Sequence, residues 1–397
     1  MATTALALLD QTLPFGAGSG SDRLSKEIFS ILESNFLFGS LQTPELGTGR
    51  VRVLSIDGGA DGGALAAAAL VRLERQLQEL SGNTAARVAD YFDLAAGSGA
   101  GGFLAAALFA RRMTAEQARD VVAKNRKVFS GRAGRGGLFS SRPDAVFKMV
   151  FGDLTVRDAA KPLLIPCYDM ATAAPFVFSR ADAVEAEAFD FPLWQVCAAA
   201  CGVAPAEVAS LDGRTRLRTA GVGGAGVANP TSVAVTHVLH NKQEFPFAAG
   251  ASDLIVLSLG GNAASDHRTS SSSSILRIAS ACQADMVDQA VSMAFGENRA
   301  TNYIRIQGNG IAAGATAEAA MAERGVESVL FRGKKLLPQT NGERLDGVAE
   351  QLVREHRRRM DSKTPTVLIK QSATPRTSSS SASTLITVST NSSSESP

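Results

Sequence analysis

The sequence predicts an α/β fold, a mostly parallel sheet flanked by helices, and three features carry that expectation. Val51–Ile56 and Leu254–Leu259 are short, largely apolar, β-branched runs, the pattern of strands buried inside a sheet. Glycine clusters follow the first of these and the later run Tyr91–Ala96, and each cluster leads into an apolar stretch of helical length. The chain's 397 residues are 45% hydrophobic, enough for a sizeable core.

In chain order, Asp22 can cap a helix carrying Leu24, Ile28, Ile31 and Leu32 on one face. Val51–Ile56 is then a strand stopped by Asp57-Gly58-Gly59, and Ala64–Leu80 reads as a helix. Tyr91–Ala96 is the next strand, ending at Gly97-Ser98-Gly99-Ala100-Gly101-Gly102, with a helix over Gly102–Arg112. Leu163–Ile165 and Pro175–Phe178 are further strands, and Thr231–His240 is a helix. Thr269–Ser274 is low in complexity and expected as a surface loop. The ends differ from this pattern. Residues 1–22 read as a flexible lead, 23–360 as the folded domain, and 361–397 as a disordered Ser/Thr-rich tail open to phosphorylation.

Composition narrows the functional classes. Forty Lys and Arg against 38 Asp and Glu leave +2, without the basic excess of a nucleic-acid binder. No run approaches the ~18 apolar residues of a membrane span. The opening MATTALALLD lacks the basic start of a signal peptide, so a cytoplasmic protein, peripheral at most to membranes, is expected rather than a secreted one. Four cysteines with no C-x-x-C pair fit a reducing compartment, and four histidines leave little material for zinc.

The glycine turns hold most of the chemistry. In Asp57-Gly58-Gly59-Ala60-Asp61-Gly62-Gly63, backbone amides at a helix start can face a phosphate or a developing oxyanion; a tight turn is the plainer explanation. Gly97, Gly99 and Gly102 match G-x-G-x-x-G. The acidic residue expected ~20 positions on falls at Glu116, inside a helical stretch, which argues against a dinucleotide site. A glycine turn after one strand, followed by a strand–G-x-[S]-x-G–helix elbow, is instead the layout of a serine acyl hydrolase.

The order D-G-G-x-x-x-G then G-x-G-x-G, with KEIFSILESNFLFG (26–39), VRVLSIDGG (51–59), LIVLSLGGN (254–262) and VDQAVSMAFGENRATNYIRIQGNG (287–310), resembles the patatin family of lipid acyl hydrolases. The similarity is strongest to plant group III patatin-related phospholipases A and spans most of the chain. It implies a patatin-like three-layer fold with a strand–nucleophile-elbow–helix. It also implies phospholipid or galactolipid ester hydrolysis by a Ser–Asp dyad, with no metal or organic cofactor. Carried over position by position, the nucleophile falls at Gly99 and the aspartate at Val222. The oxyanion turn, Gly58, Gly59, Ala60, Gly62 and Gly63, has alanine for its third glycine and Gly62 for its arginine. Gly97, Ser98 and Gly101 complete the elbow.

Those substitutions are severe, because glycine has no nucleophilic atom and valine cannot orient or deprotonate one. Ser98 neighbours the vacant position on an extended segment, should point away from it, and is expected to bond nearby backbone. His237 and His240 are spaced i, i+3 near Glu244, where helix-end packing outweighs a metal. Cys197 and Cys201 share a helical face and read as core. The Arg354–Arg359 run suits a solvated helix C-terminus. Lys124–Lys148 mixes Arg126, Lys127, Arg132 and Arg135 with Phe129 and Phe139, a composition suited equally to an anionic lipid surface and to an ordinary exposed loop. Two functional classes stay open: a catalytically impaired lipid-binding protein, or a weakly active non-specific lipolytic acyl hydrolase. Membrane lipids are the expected partners of either, and a nicotinamide enzyme is the distant third.

Overall fold

The computed structural model describes residues 49–59, 61–130, 144–203, 207–219, 227–261, 272–308, 319–362 and 364–370. The helix expected after Asp22, the 1–22 lead, Ala60, Val222, Arg132, Arg135 and Phe139 lie outside them, as do residues 371–397 of the expected tail.

Six strands form the central sheet: β1 (Val51–Ile56), β2 (Leu94–Gly97), β3 (Leu163–Asp169), β4 (Ala174–Ser179), and, after the small antiparallel pair β5 (Glu207–Ala209) and β6 (Arg216–Arg218), β7 (Leu254–Leu259) and β8 (Tyr303–Ile306). Their order is β4-β3-β2-β1-β7-β8. All neighbours are parallel except β3 and β4, which run antiparallel at one edge. The α/β class read from the sequence is therefore the observed one.

Alternation along β1 divides the core. Leu54 and Ile56 face one layer, shared with helices α1 (Ala64–Ser81) and α2 (Ala100–Phe109). Val51 and Val53 face the other, shared with α7 (Thr231–His240) and the C-terminal half of α8 (Ser272–Phe295). Between these helices come α3 (Ala115–Lys124), α4 (Arg126–Phe129), α5 (Ala145–Phe151) and α6 (Leu193–Ala200). A hairpin, β9 (Arg324–Val329) with β10 (Gly333–Thr340), leads into α9 (Asn341–Met360), which packs along α1 and is tied to it by Arg72–Asp346 at 2.6 Å.

Several boundaries differ from the sequence reading. Tyr91 belongs to a one-turn helix, Val88–Tyr91, and β2 begins only at Leu94. Asp93 stands just before that strand because its carboxylate binds Arg52 and Arg359. Ser272–Ser274 open α8 rather than closing a loop. The chain beyond α9 also returns to the domain: the Leu368 amide donates to the Glu244 carbonyl at 2.8 Å, and Val367 packs on the second core layer. The described chain continues past α9 to Lys370. Among the described residues no helix is long and apolar enough to cross a membrane.

Candidate active site

Parallel strands deliver their C-terminal ends to one edge of the sheet, where ligands of open α/β folds bind. The turn leaving β1 and the elbow leaving β2 meet there. Gly99 caps α2 with φ 53° and ψ −127°, a conformation that L side chains adopt only under strain. The elbow closes tightly because a methyl group at Gly101 would lie 2.1 Å from the Ile56 carbonyl oxygen. The Gly58 turn crosses it: a methyl on Gly58 would sit 3.5 Å from the Gly99 Cα. The expected nucleophile position and the expected oxyanion turn are therefore in contact.

The elbow's hydroxyl is used up on backbone. Ser98 is fully buried, its Oγ accepting from the Gly58 amide at 3.0 Å and donating to the Ala228 carbonyl at 3.1 Å. The hydroxyl thereby ties the elbow to both flanking segments.

The turn after β1 carries a residue that sequence reasoning passed over. The Asp61 carboxylate accepts from the Gly63 amide at 3.1 Å and from the Leu65 amide at 3.0 Å, capping α1 with one charge. Part of the helix start that could have faced a phosphate or oxyanion is thus taken by the chain's own anion. The available signal was an Asp placed just before a helical run. Gly62, where the family resemblance puts arginine, has φ 70° and lies against α4: an added methyl would meet Ser130 N at 3.0 Å and Phe129 C at 3.1 Å. The missing side chain and the path of the backbone go together here.

Below the turn lies a buried charge network. Arg305 from β8 binds Asp57 at 2.6 Å and Ser258 Oγ at 2.7 Å, and Ser258 and Ser55 both bond Thr231 Oγ1. Burial raises the Asp57 carboxyl above its ordinary range, and Arg305 opposes that rise. Burial would lower Arg305, but Asp57 reverses the effect and holds it protonated. Asp57 braces the turn with this pair, and its amide donates to the Leu259 carbonyl at 2.8 Å.

Glu116 lies in the first turn of α3 rather than at a strand end, and it pairs with Arg75 at 2.5 Å. His237 Nε2 is 3.9 Å from the buried Glu244, which also faces Arg180 at 3.8 Å. Among the described residues no three His, Cys, Asp or Glu side chains converge as a metal site. Cys197 and Cys201 are buried, and burial raises both thiols far from thiolate chemistry. Phe129 is only 5% exposed and packs against Phe103 and Phe147, so it cannot enter a lipid surface. Arg126 and Lys127, on the same short helix, are exposed.

A family model described as patatin-like phospholipase matches residues 54–230. Patatin-like protein 3 of Oryza sativa subsp. indica is 48% identical over 389 residues, covering 87% of this chain and 93% of the relative. Patatin-like protein 7 of Arabidopsis thaliana is 42% identical over 414 residues, covering 89% and 85%. The probable inactive patatin-like protein 9 of Arabidopsis thaliana is 43% identical over 336 residues, covering 77% and 86%.

Proposed function

The chain belongs to the patatin-like phospholipase family, and on that premise we propose that it is a lipid-binding member without serine catalysis. One observation carries the reading. The elbow crest is Gly99, which offers no nucleophile, and the adjacent Ser98 hydroxyl is committed to the Gly58 amide and the Ala228 carbonyl.

Acyl transfer needs a nucleophile, a base and free amide donors at the developing oxyanion. The first is missing. The base position inherited from the family is Val222, which has no proton acceptor. The donor side is altered too, with Gly58 N–H given to Ser98 and Gly63 N–H given to Asp61. What persists is the scaffold that in this family handles lipid acyl esters. Phospholipids and galactolipids are the ligand classes we assign to it, held without covalent chemistry. Arg126 and Lys127, with Arg132 and Arg135, are a second, electrostatic contact to anionic lipid. A relative 43% identical bears the word inactive in its own name, which accords with this reading.

A fluorophosphonate probe, which labels activated serines, tests it. The expected result is no labelled serine when the treated chain is mapped by mass spectrometry. Stoichiometric labelling at Ser98 or any other serine overturns the reading in favour of a weakly active hydrolase.

A further inference from the structure

We propose that the tip of the β9–β10 hairpin is the point at which this protein inserts into an anionic lipid surface. The inference rests on the lipid reading above but concerns a different part of the molecule.

The hairpin turns through Leu330-Phe331-Arg332, closed by a hydrogen bond from the Arg332 amide to the Val329 carbonyl at 2.9 Å. Phe331 is 82% exposed and Leu330 is 43% exposed. Phe331 also has φ 57°, the left-handed region that glycine or asparagine fills at such turns. A large aromatic there is unfavourable twice in the free protein, through backbone strain and through apolar surface left in water. Strain and exposure at one residue point to an apolar phase outside the protein.

Charge identifies that phase. Arg332, Lys334 and Lys335 follow the tip directly and all are exposed. Lys334 reaches Asp285 on α8 at 3.2 Å, fixing the hairpin to the domain, whereas Arg332 and Lys335 have no ion pair among the described residues. Two apolar side chains backed by unpaired cations suit a bilayer interface with anionic headgroups: the apolar groups enter the acyl boundary and the cations stay at headgroup level. A protein partner would instead call for a groove or an acidic complement, and a second copy of this chain presents the same cations. Ile278, Met286 and Met293 of α8, the helix that carries Asp285, are also more than half exposed.

The basic segment at Arg126 lacks this combination, because its described aromatic, Phe129, is in the core. It supplies charge, and the hairpin supplies insertion.

The test is co-sedimentation of the full chain with vesicles of phosphatidylcholine, with and without phosphatidylglycerol. The parent protein should pellet with the anionic vesicles and be released by 1 M salt, where the Debye length falls to ~3 Å. Phe331→Gly should weaken partitioning about tenfold, with a melting temperature equal to the parent's or higher, because glycine accepts the turn's φ. Arg332→Glu with Lys335→Glu should remove the preference for phosphatidylglycerol, while Arg354→Ala, on the C-terminal half of α9, leaves it intact. Parent-like pelleting of both hairpin variants overturns the proposal, as does a lowered melting temperature for Phe331→Gly, which would make Phe331 part of the fold. Self-association of the parent, lost in Phe331→Gly, would put a second copy on the tip and also overturn it. Binding of a short-chain phosphatidylcholine below its micelle concentration separates the two ideas. If that binding persists while vesicles are ignored, the hairpin proposal fails alone; if it is absent and vesicles are still bound through the hairpin, the lipid-binding reading of the elbow site fails alone.

Discussion

Ser98 and Gly58 are joined by a 3.0 Å hydrogen bond in which the turn after β1 donates its amide to the hydroxyl beside the vacant elbow crest. The same oxygen donates onward to Ala228, so one buried side chain links three segments at the top of the sheet. Ser98→Ala should therefore cost about 1–3 kcal/mol, the penalty for leaving buried backbone groups without a partner. Urea denaturation reads this directly. A variant as stable as the parent would mean the hydroxyl does not hold the elbow.

Gly99→Ser should lower stability by about 1–3 kcal/mol, since a side chain must then occupy φ 53° and ψ −127°. It should not create turnover, because the new hydroxyl has no base at Val222. Calorimetry and a lipase assay on the same preparation check both halves. A variant that melts no lower than the parent argues against a strained crest at this position, and turnover near that of active relatives argues against Val222 as the base position.

Much of this arrangement was legible in the chain. The β1 and β7 runs are apolar, β-branched and stopped by glycine, so local chemistry and tertiary role agree. Thr231–His240 was likewise readable as a helix from its own residues. What escaped depended on distant partners. Asp93 falls inside the expected strand Tyr91–Ala96, and the cations that hold it just outside β2, Arg52 and Arg359, come from β1 and from the end of α9. Phe129 sits in a basic, glycine-rich stretch, and only its packing on Phe103 and Phe147 makes it core. Phe331 was overlooked since a positive φ leaves no mark on residue type unless glycine fills it.

Asp93 should govern part of the acid sensitivity. Burial alone would raise its carboxyl, but Arg52 and then Arg359 overcome this and hold it well below the usual carboxylate range. A folded-state pKa below the unfolded value stabilises fully above the unfolded pKa of ~4 and loses that contribution as pH falls beneath it. Asp93→Asn should cost about 3–5 kcal/mol at pH 7, leaving the buried Arg52 and the half-buried Arg359 guanidinium groups facing an uncharged partner. The gap between variant and parent should then narrow steadily on titration from pH 4 toward pH 2. An equal gap at both ends would show that the carboxylate's charge contributes nothing.

Asp61→Ala should destabilise by about 1 kcal/mol, through loss of a cap on the Gly63 and Leu65 amides. Asp61→Asn should recover part of that loss, because an amide oxygen still accepts one bond. Thermal melts of the two variants decide it, and an alanine variant more stable than the asparagine one would contradict the cap.

The most direct measurement is fatty-acid release from labelled phospholipid and galactolipid vesicles by the purified full-length chain. A member of this family with Gly99 at its crest should release nothing above the buffer rate. Sustained release that copurifies with the chain and is abolished by a serine-directed inhibitor would contradict a site without serine catalysis.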